Sequence, residues 1–189
     1  MNRNELAGMS ASEAAKRLLG CELERELDGQ TVRVRIVETE AYDETDAASH
    51  SYKGRTQRTD VMFGSAGHLY VYFTYGMHYC ANVVVGNEGY GAAVLLRAAQ
   101  PLEGEQLLER RRNGKTGVDI TNGPAKLCQA LAITKQLNGH NLEKTPLILR
   151  LRPALKESVI EQTTRIGISQ AKEMPWRFYI RANPYISAK

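Results

Sequence analysis

Two carboxylates and a phenol occupy alternate positions at the end of the segment "TVRVRIVETEAY", residues 31–42. Strand side chains alternate between two faces, so Glu38, Glu40 and Tyr42 are predicted to continue the apolar face begun by the valines and isoleucine of residues 32–36. Carboxylates are rarely buried without a partner, because removing an ionised oxygen from water has a large free-energy cost. In a partly apolar pocket such a carboxylate can act as a general base toward water or, with a raised pKa, as a general acid.

Two other interpretations of these glutamates stay open. An ion pair with Arg33, Arg35 or another basic side chain would give the carboxylates a structural role. Glu38 and Glu40 could also form a glycosidase pair, which needs carboxyl groups about 5 to 9.5 Å apart across a substrate. A single strand face could supply that separation.

Four of the nine tyrosines fall within "LYVYFTYGMHYC", residues 69–80. Tyr70 and Tyr72 share a strand face, whereas Tyr75 stands beside Gly76, where a hairpin turn would direct its ring outward. Tyrosines in strands are generally half-buried packing residues, which is the structural interpretation of this segment. An exposed ring at a hairpin tip is unusual and favours a role in binding.

Basic residues flank this aromatic segment on both sides: Lys53, Arg55 and Arg58 precede it and Arg97 follows it. Proteins that bind nucleic acid combine aromatic rings, which stack on bases, with cations that bind phosphates. The formal net charge of +4 permits a polyanionic partner without establishing one. Together these features favour nucleic acid over other ligands.

Two further polar residues are candidates for the same site. His50, in "AASHS", titrates near neutral pH, although a lone loop histidine is more often solvated or structurally hydrogen-bonded. Asn82, in "CANVVV", is a polar amide in an apolar strand, which is either a satisfied core group or part of a pocket wall.

The elements that must position these residues predict one α+β domain over residues 1–189, with a curved, mostly antiparallel, barrel-like sheet flanked by helices. Ser10 and Glu13 have capping-box spacing at the start of a helix that ends at Gly20. Asp28-Gly29 predicts the turn of a hairpin spanning residues 21–42. The polar segment 43–67 is a long loop, of a kind that is usually functional or disordered.

Further elements follow in the second half of the chain. Strands are predicted over residues 68–75, 78–85, 91–98 and 177–181, the first two being joined near Gly76-Met77. Pro101 and Pro124 each predict the start of a helix, because proline suits the first helical turn.

Composition limits the class of protein. The three cysteines, Cys21, Cys80 and Cys128, are far apart and have no metal-ligand spacing, so neither a disulfide framework nor a zinc site is expected. No window approaches the roughly 18 to 20 apolar residues of a membrane span. We therefore expect a cytoplasmic protein with no membrane partner.

Several blocks of the sequence resemble the alkyladenine (3-methyladenine) DNA glycosylase family. They occur in order from about residue 10 to 187: "RIVETEAY" (35–42), "HS" (50–51), "MFGSAGHLYVYFTYGMHYCANVV" (62–84), "AVLLRA" (93–98), "GPAKLCQAL" (123–131) and "RFYIRANPYIS" (177–187). The resemblance implies a monofunctional, monomeric, nucleoid-associated enzyme of bacterial type that flips alkylated or deaminated purines out of duplex DNA. The lesions implied are 3-methyladenine, 7-methylguanine, hypoxanthine and ethenoadenine.

The resemblance also implies a role for each matching residue. Glu40 matches the catalytic glutamate, and Tyr75, on a protruding β-hairpin, matches the side chain inserted into DNA. The base-binding pocket matches Tyr42, His50, Tyr72 and Asn82, of which Asn82 matches the residue that excludes guanine. Arg97 matches a residue near the DNA backbone. His78 departs from the pattern, since it replaces an aromatic residue beside the inserted tyrosine.

The implied mechanism is hydrolysis of the N-glycosidic bond by a water molecule that Glu40 deprotonates. No lysine is placed to form a Schiff base, and neither a metal nor another cofactor is expected. Two rivals remain: a non-catalytic nucleic-acid-binding module that stacks bases on its tyrosines, and a small-molecule glycoside or nucleoside hydrolase that uses both Glu38 and Glu40.

Overall fold

The computed structural model describes residues 3–187, which form an eight-stranded antiparallel sheet and short helices packed on it. The α-helices of this range are α1 (Arg3–Ala7), α2 (Ala11–Leu18), α3 (Glu105–Arg111) and α4 (Pro124–Ala130). Its strands are β1 (Glu22–Leu27), β2 (Gln30–Tyr42), β3 (Leu69–Thr74), β4 (His78–Val84), β5 (Ala93–Glu103), β6 (Leu147–Arg150), β7 (Ile160–Thr163) and β8 (Arg177–Ile180). Its 3₁₀ turns are Asp60–Phe63, Gly117–Ile120, Lys135–Leu137 and Glu157–Val159.

Strand β2 lies at the centre of the sheet. The main path runs β3-β4-β5-β2-β1-β6, and β8 pairs with both β2 and β7. Along one edge of β2, the first half pairs with β1 and residues 38–40 pair with β8, while β5 follows the other edge. This curled antiparallel sheet with few helices confirms the predicted α+β class.

Local sequence signals account for the first helix and the first hairpin. Ser10 caps α2, because its hydroxyl accepts from the Glu13 amide and the Glu13 carboxylate accepts from the Ser10 amide. Asp28 and Gly29 both have positive φ angles, 51° and 74°, as expected for the primed turn that matches strand twist. Both predictions are confirmed.

Two opposed bulges change which face of the central strands meets the core. The ladder between β2 and β5 pairs Ile36 with Ala99, then Glu38 with Ala98, then Thr39 with Leu96. Val37 on β2 and Arg97 on β5 are therefore extra residues, one on each strand. Each extra residue reverses the side-chain alternation of its own strand, and the second restores the pairing register.

The bulges overturn one expectation from the sequence. The valines and isoleucine at positions 32, 34 and 36 lie in the main apolar core beneath α2, as predicted. Beyond the bulge it is Ala41 that joins this core, and the Thr39 hydroxyl donates to the Ala15 carbonyl of α2 at 2.9 Å. Glu38 and Glu40 consequently lie on the opposite face, so the prediction that they continue the apolar face is wrong.

The prediction that Pro101 opens a helix is also wrong. Pro101 lies within β5, opposite Val34, and α3 begins only at Glu105 after Gly104, whose φ is 74°. The register shifts next to this pair, which leaves Leu102 as an extra residue. Proline has no N–H for the ladder and is tolerated in a sheet at such irregular positions.

Other segments complete the frame. Pro124 is the first residue of α4, as predicted, whereas β6 and β7 are short strands that the sequence pattern does not predict. The segment 43–67 is an ordered loop that contains the 3₁₀ turn Asp60–Phe63 and buries several of its polar side chains. None of the helices between residues 3 and 187 is long and apolar enough to cross a membrane.

Candidate active site

A cavity of about 450 Å³ opens on the face of the sheet opposite α2. Its walls come from the end of β2, the strands β3, β4 and β5, the loop 43–67 and the loop 166–170. All of the pocket residues predicted from the sequence line it, namely Glu40, Tyr42, His50, Tyr72 and Asn82, together with Tyr75 and Arg97. Its volume is within the range of sites that enclose small ligands.

Glu40 lies fully buried at this cavity, and its carboxylate is held by two hydrogen-bond donors and one guanidinium group. The Tyr42 hydroxyl donates to Oε2 at 2.8 Å, the Ile166 backbone amide donates to Oε1 at 2.8 Å, and Arg97 Nη1 lies 3.3 Å from Oε1. A carboxylate fixed in this way at a cavity has the position that a general base toward water needs.

Glu38 is equally buried but does not line the cavity. Oε1 accepts from Arg97 Nε at 3.0 Å, from Arg177 Nε at 2.7 Å and from the Ser187 hydroxyl at 2.8 Å, while Oε2 accepts from the Ser187 amide. The second carboxylate is thus saturated by protein donors. This arrangement disfavours a glycosidase pair formed with Glu40. Neither glutamate pairs with Arg33 or Arg35, but the expected ion pair with another basic side chain is present, because both glutamates contact Arg97.

The Tyr42 ring, whose hydroxyl binds Glu40, is packed against the guanidinium group of Arg165. The Arg165 guanidinium carbon lies 4.6 Å from the Tyr42 ring centroid, and Arg165 is paired with Asp46, both side chains being fully buried. Arg165 also donates to the Ala41 carbonyl at 3.0 Å. Burial and the neighbouring Glu40 charge raise the pKa of the Tyr42 hydroxyl, so it remains a proton donor to that carboxylate.

The rings of His50, Tyr70 and Tyr72 contact one another and form part of the cavity wall. His50 meets Tyr72 edge-on at 4.5 Å between ring centroids, and its Nδ1 lies 3.0 Å from the Tyr70 hydroxyl. Desolvation against these rings, with the positive charge of Arg58, lowers the pKa of His50. Burial raises the pKa of Tyr72. The rings therefore present an uncharged, largely apolar surface to the cavity.

Asn82 is buried in the cavity wall, where it pairs with Tyr70 across β3 and with Leu95 across β5. Its Nδ2 donates to the Tyr70 carbonyl at 3.1 Å. The side chain is therefore fixed in orientation by the strand beside it, which suits a residue that sets the shape of a pocket.

Tyr75 occupies the tip of the β3–β4 hairpin, at the rim of the cavity. Its φ is 51° and that of Gly76 is 66°, and 83% of Tyr75 is exposed. The Met77 amide donates to the Thr74 carbonyl at 3.3 Å and closes the turn. Phe73 and Met77 are also exposed, so the tip presents several apolar side chains to solvent.

Arg97 is buried in the cavity wall, and its observed contacts are with Glu38, Glu40 and Ser187. Contact with the DNA backbone stays a prediction. As the bulged residue of β5, Arg97 projects on the cavity side, although the strand pattern gives no sign of this.

Two contributors to the site were missed by reasoning from the sequence. Arg165 and the backbone amide of Ile166 come from a loop without regular alternation, and a backbone amide carries no residue-type signature. Within residues 3–187, no group of three or more histidine, cysteine, aspartate or glutamate side chains is arranged to hold a metal ion.

Comparison with known proteins identifies relatives over almost the whole chain. Residues 5–184 match the family model for methylpurine-DNA glycosylase (MPG). Proteins provisionally named 3-methyladenine DNA glycosylases are similar: one from Carboxydothermus hydrogenoformans is 50% identical over 93% of this chain and 92% of its own length. One from Methanoculleus marisnigri is 48% identical with the same coverage, and one from Francisella tularensis is 44% identical over 100% and 99% of the two chains. The chain belongs to the methylpurine-DNA glycosylase family and is a DNA glycosylase of the 3-methyladenine type.

Proposed function

We propose that this enzyme turns alkylated or deaminated purines out of duplex DNA into the 450 Å³ cavity and hydrolyses the N-glycosidic bond with water activated by Glu40. The observation that carries the proposal is the position of Glu40. It is a buried carboxylate, held by Tyr42, Ile166 and Arg97, at an aromatic-lined cavity whose rim bears the exposed Tyr75.

The chemical step follows from that position. Glu40 accepts a proton from a water molecule as the water oxygen attacks the anomeric carbon and the bond from that carbon to the base nitrogen breaks. The base departs with the bonding electron pair, and the ionised carboxylate stabilises the oxocarbenium-like transition state. A cationic methylated purine leaves as a neutral base, whereas a neutral lesion such as hypoxanthine needs a proton as it leaves.

Recognition is assigned to the cavity walls. The rings of Tyr42, His50 and Tyr72 would make stacking or edge-to-face contacts with the purine. Asn82 would exclude guanine by leaving no room for its 2-amino group. Tyr75 would fill the gap left in the duplex. No lysine of residues 3–187 lines the cavity. This supports a monofunctional enzyme that hydrolyses the N-glycosidic bond without cutting the DNA strand.

The test uses synthetic duplexes that carry one defined lesion each, with an undamaged duplex as reference. Release of free base under single-turnover conditions is measured for the wild type and for Glu40→Gln. Lesion-dependent release that the variant loses, with the abasic strand left uncut, supports the proposal. Binding of DNA without base release would support the stacking module, and release from free nucleosides alone would support a small-molecule hydrolase.

A further inference from the structure

A second buried cluster lies beside Glu40, and of its members only Arg97 also lines the cavity. Its centre is Arg97, each of whose three guanidinium nitrogens has a partner. Nε donates to Glu38 at 3.0 Å, Nη2 donates to the Ser187 hydroxyl at 3.2 Å, and Nη1 lies 3.3 Å from Glu40. Only Nη1 is thus directed at the carboxylate of the active site.

Glu38 and Ser187 also bind each other. The Ser187 hydroxyl donates to Glu38 Oε1 at 2.8 Å, and the Ser187 amide donates to Oε2. Arg177 adds a second guanidinium to Glu38, so the buried group contains two carboxylates and two arginines. Opposite charges are balanced within it, which allows all four side chains to be buried together.

An arginine side chain has several rotatable bonds, and fixing it has a large entropy cost. A guanidinium held only by Glu40 could rotate, and the carboxylate could turn with it, so that its oxygen no longer pointed at a water molecule. Held at Nε and Nη2 as well, Arg97 can present Nη1 to one oxygen of Glu40 in a single orientation. Precise placement of this kind is worth a large factor in rate.

We propose, on the basis of the function proposed above, that Glu38 and Ser187 are positioning residues that hold Arg97 against Glu40. Ser187 does not line the cavity, and it is separated from Glu38 by 149 residues in sequence. The segment after β8 therefore supports the active site without lining the cavity. Glu38 contributes to catalysis through Arg97 and makes no contact with the substrate.

The test compares Glu38→Gln, Ser187→Ala and Ser187→Thr with the wild type. The matched control is Glu22→Gln, which changes a buried strand glutamate paired with Arg152 outside the cavity. Single-turnover base release and affinity for lesion duplex are measured separately.

Glu38→Gln should slow release roughly 100-fold. Ser187→Ala should slow it about fivefold, the equivalent of one hydrogen bond, and Ser187→Thr should restore most of the loss. Affinity should stay within about twofold in all three, because the cavity lining is unchanged.

A spectroscopic measurement decides the positioning role independently of activity. The ¹⁵N NMR signal of the Arg97 Nε–H group is assigned by its disappearance in Arg97→Lys. In Glu38→Gln its hydrogen exchange should accelerate roughly 10- to 150-fold, as expected for loss of one charge-assisted hydrogen bond. If Glu38→Gln does not fold, Ser187→Ala carries both measurements.

Equal loss of release and of binding, or unchanged Arg97 exchange, would overturn the positioning role. Wild-type release in both Glu38→Gln and Ser187→Ala would do the same. A wild-type protein that releases no base would instead contradict the proposed function, and the exchange of Arg97 would still decide whether Glu38 holds it.

Discussion

The two halves of β2 use the same alternating pattern for opposite purposes. In the first half, alternation places valines and an isoleucine in the core beneath α2. In the second half, beyond the bulge at Val37, alternation places Glu38 and Glu40 on the other face. Both glutamates contact Arg97 there, and Glu40 also lines the cavity. One glutamate is closed off by protein donors and the other borders open space. The comparison indicates that a buried carboxylate is a candidate general base only where space for a water molecule remains beside it.

The strongest way to break this comparison is to neutralise Glu40. Glu40→Gln keeps the shape of the side chain and removes its ability to accept a proton, so base release should fall by roughly 10²- to 10⁴-fold. Lesion-duplex affinity should change little. Single-turnover release and duplex binding are measured side by side, with Glu22→Gln as the matched control. Near wild-type release by Glu40→Gln would refute the assignment of the general base.

The next largest effect should fall on stability. Arg165→Met leaves the fully buried Asp46 carboxylate without its ion-pair partner, which should lower the free energy of unfolding by about 3 to 5 kcal/mol. Arg150→Met, which breaks the exposed pair with Glu24, should cost less than about 1 kcal/mol. Denaturant unfolding measures both. Equal effects would mean that Arg165 does not brace the cavity side of the sheet.

A smaller effect is expected at the cavity rim. Tyr75→Ala should reduce release from a correctly paired lesion roughly 5- to 150-fold, because one base-stacking contact is lost. The reduction should be smaller for a mispaired lesion, which leaves the duplex more easily. Tyr75→Phe keeps the ring and should remain close to wild type. If paired and mispaired substrates suffer alike, Tyr75 does not fill the gap in the duplex.

The smallest effect should appear as a change of selectivity. Asn82→Ser opens space beside the base, so release of undamaged guanine should rise roughly 5- to 10-fold relative to hypoxanthine. The two duplexes differ only at one site, and the ratio of their release rates is the measurement. An unchanged ratio in a folded variant would assign Asn82 to strand structure alone.

Much of the frame could be predicted from the sequence, because the signals that define it are local. The capping box at Ser10, the Asp28-Gly29 turn and the alternation of β2 each act over a few residues. The bulges could not be predicted, since an extra residue at Val37 or Arg97 shows only against the partner strand. The prediction of a helix at Pro101 failed for the same reason. A strand accepts proline only at an irregular position of the ladder, and such a position is visible only from the pairing with the neighbouring strand.

The candidate site divides in the same way. Glu40 and the tyrosines could be identified from residue type and family resemblance, and the structure brings them together at one cavity. The Ile166 amide and Ser187 lie 126 and 149 positions away from the glutamates they bind. Contacts over such separations follow from the folded topology and have no signature in the nearby sequence.

In the turn that carries Tyr75, the residue expected to favour activity is not the residue that would favour stability. A bulky residue with φ of 51° pays a conformational cost of about 1 to 2 kcal/mol that glycine would not. Selection for thermal stability alone would favour glycine or asparagine at this position. Because an aromatic residue occupies this position, the hairpin is slightly strained. Screens for stabilised variants should therefore recover Tyr75 substitutions that have lost activity.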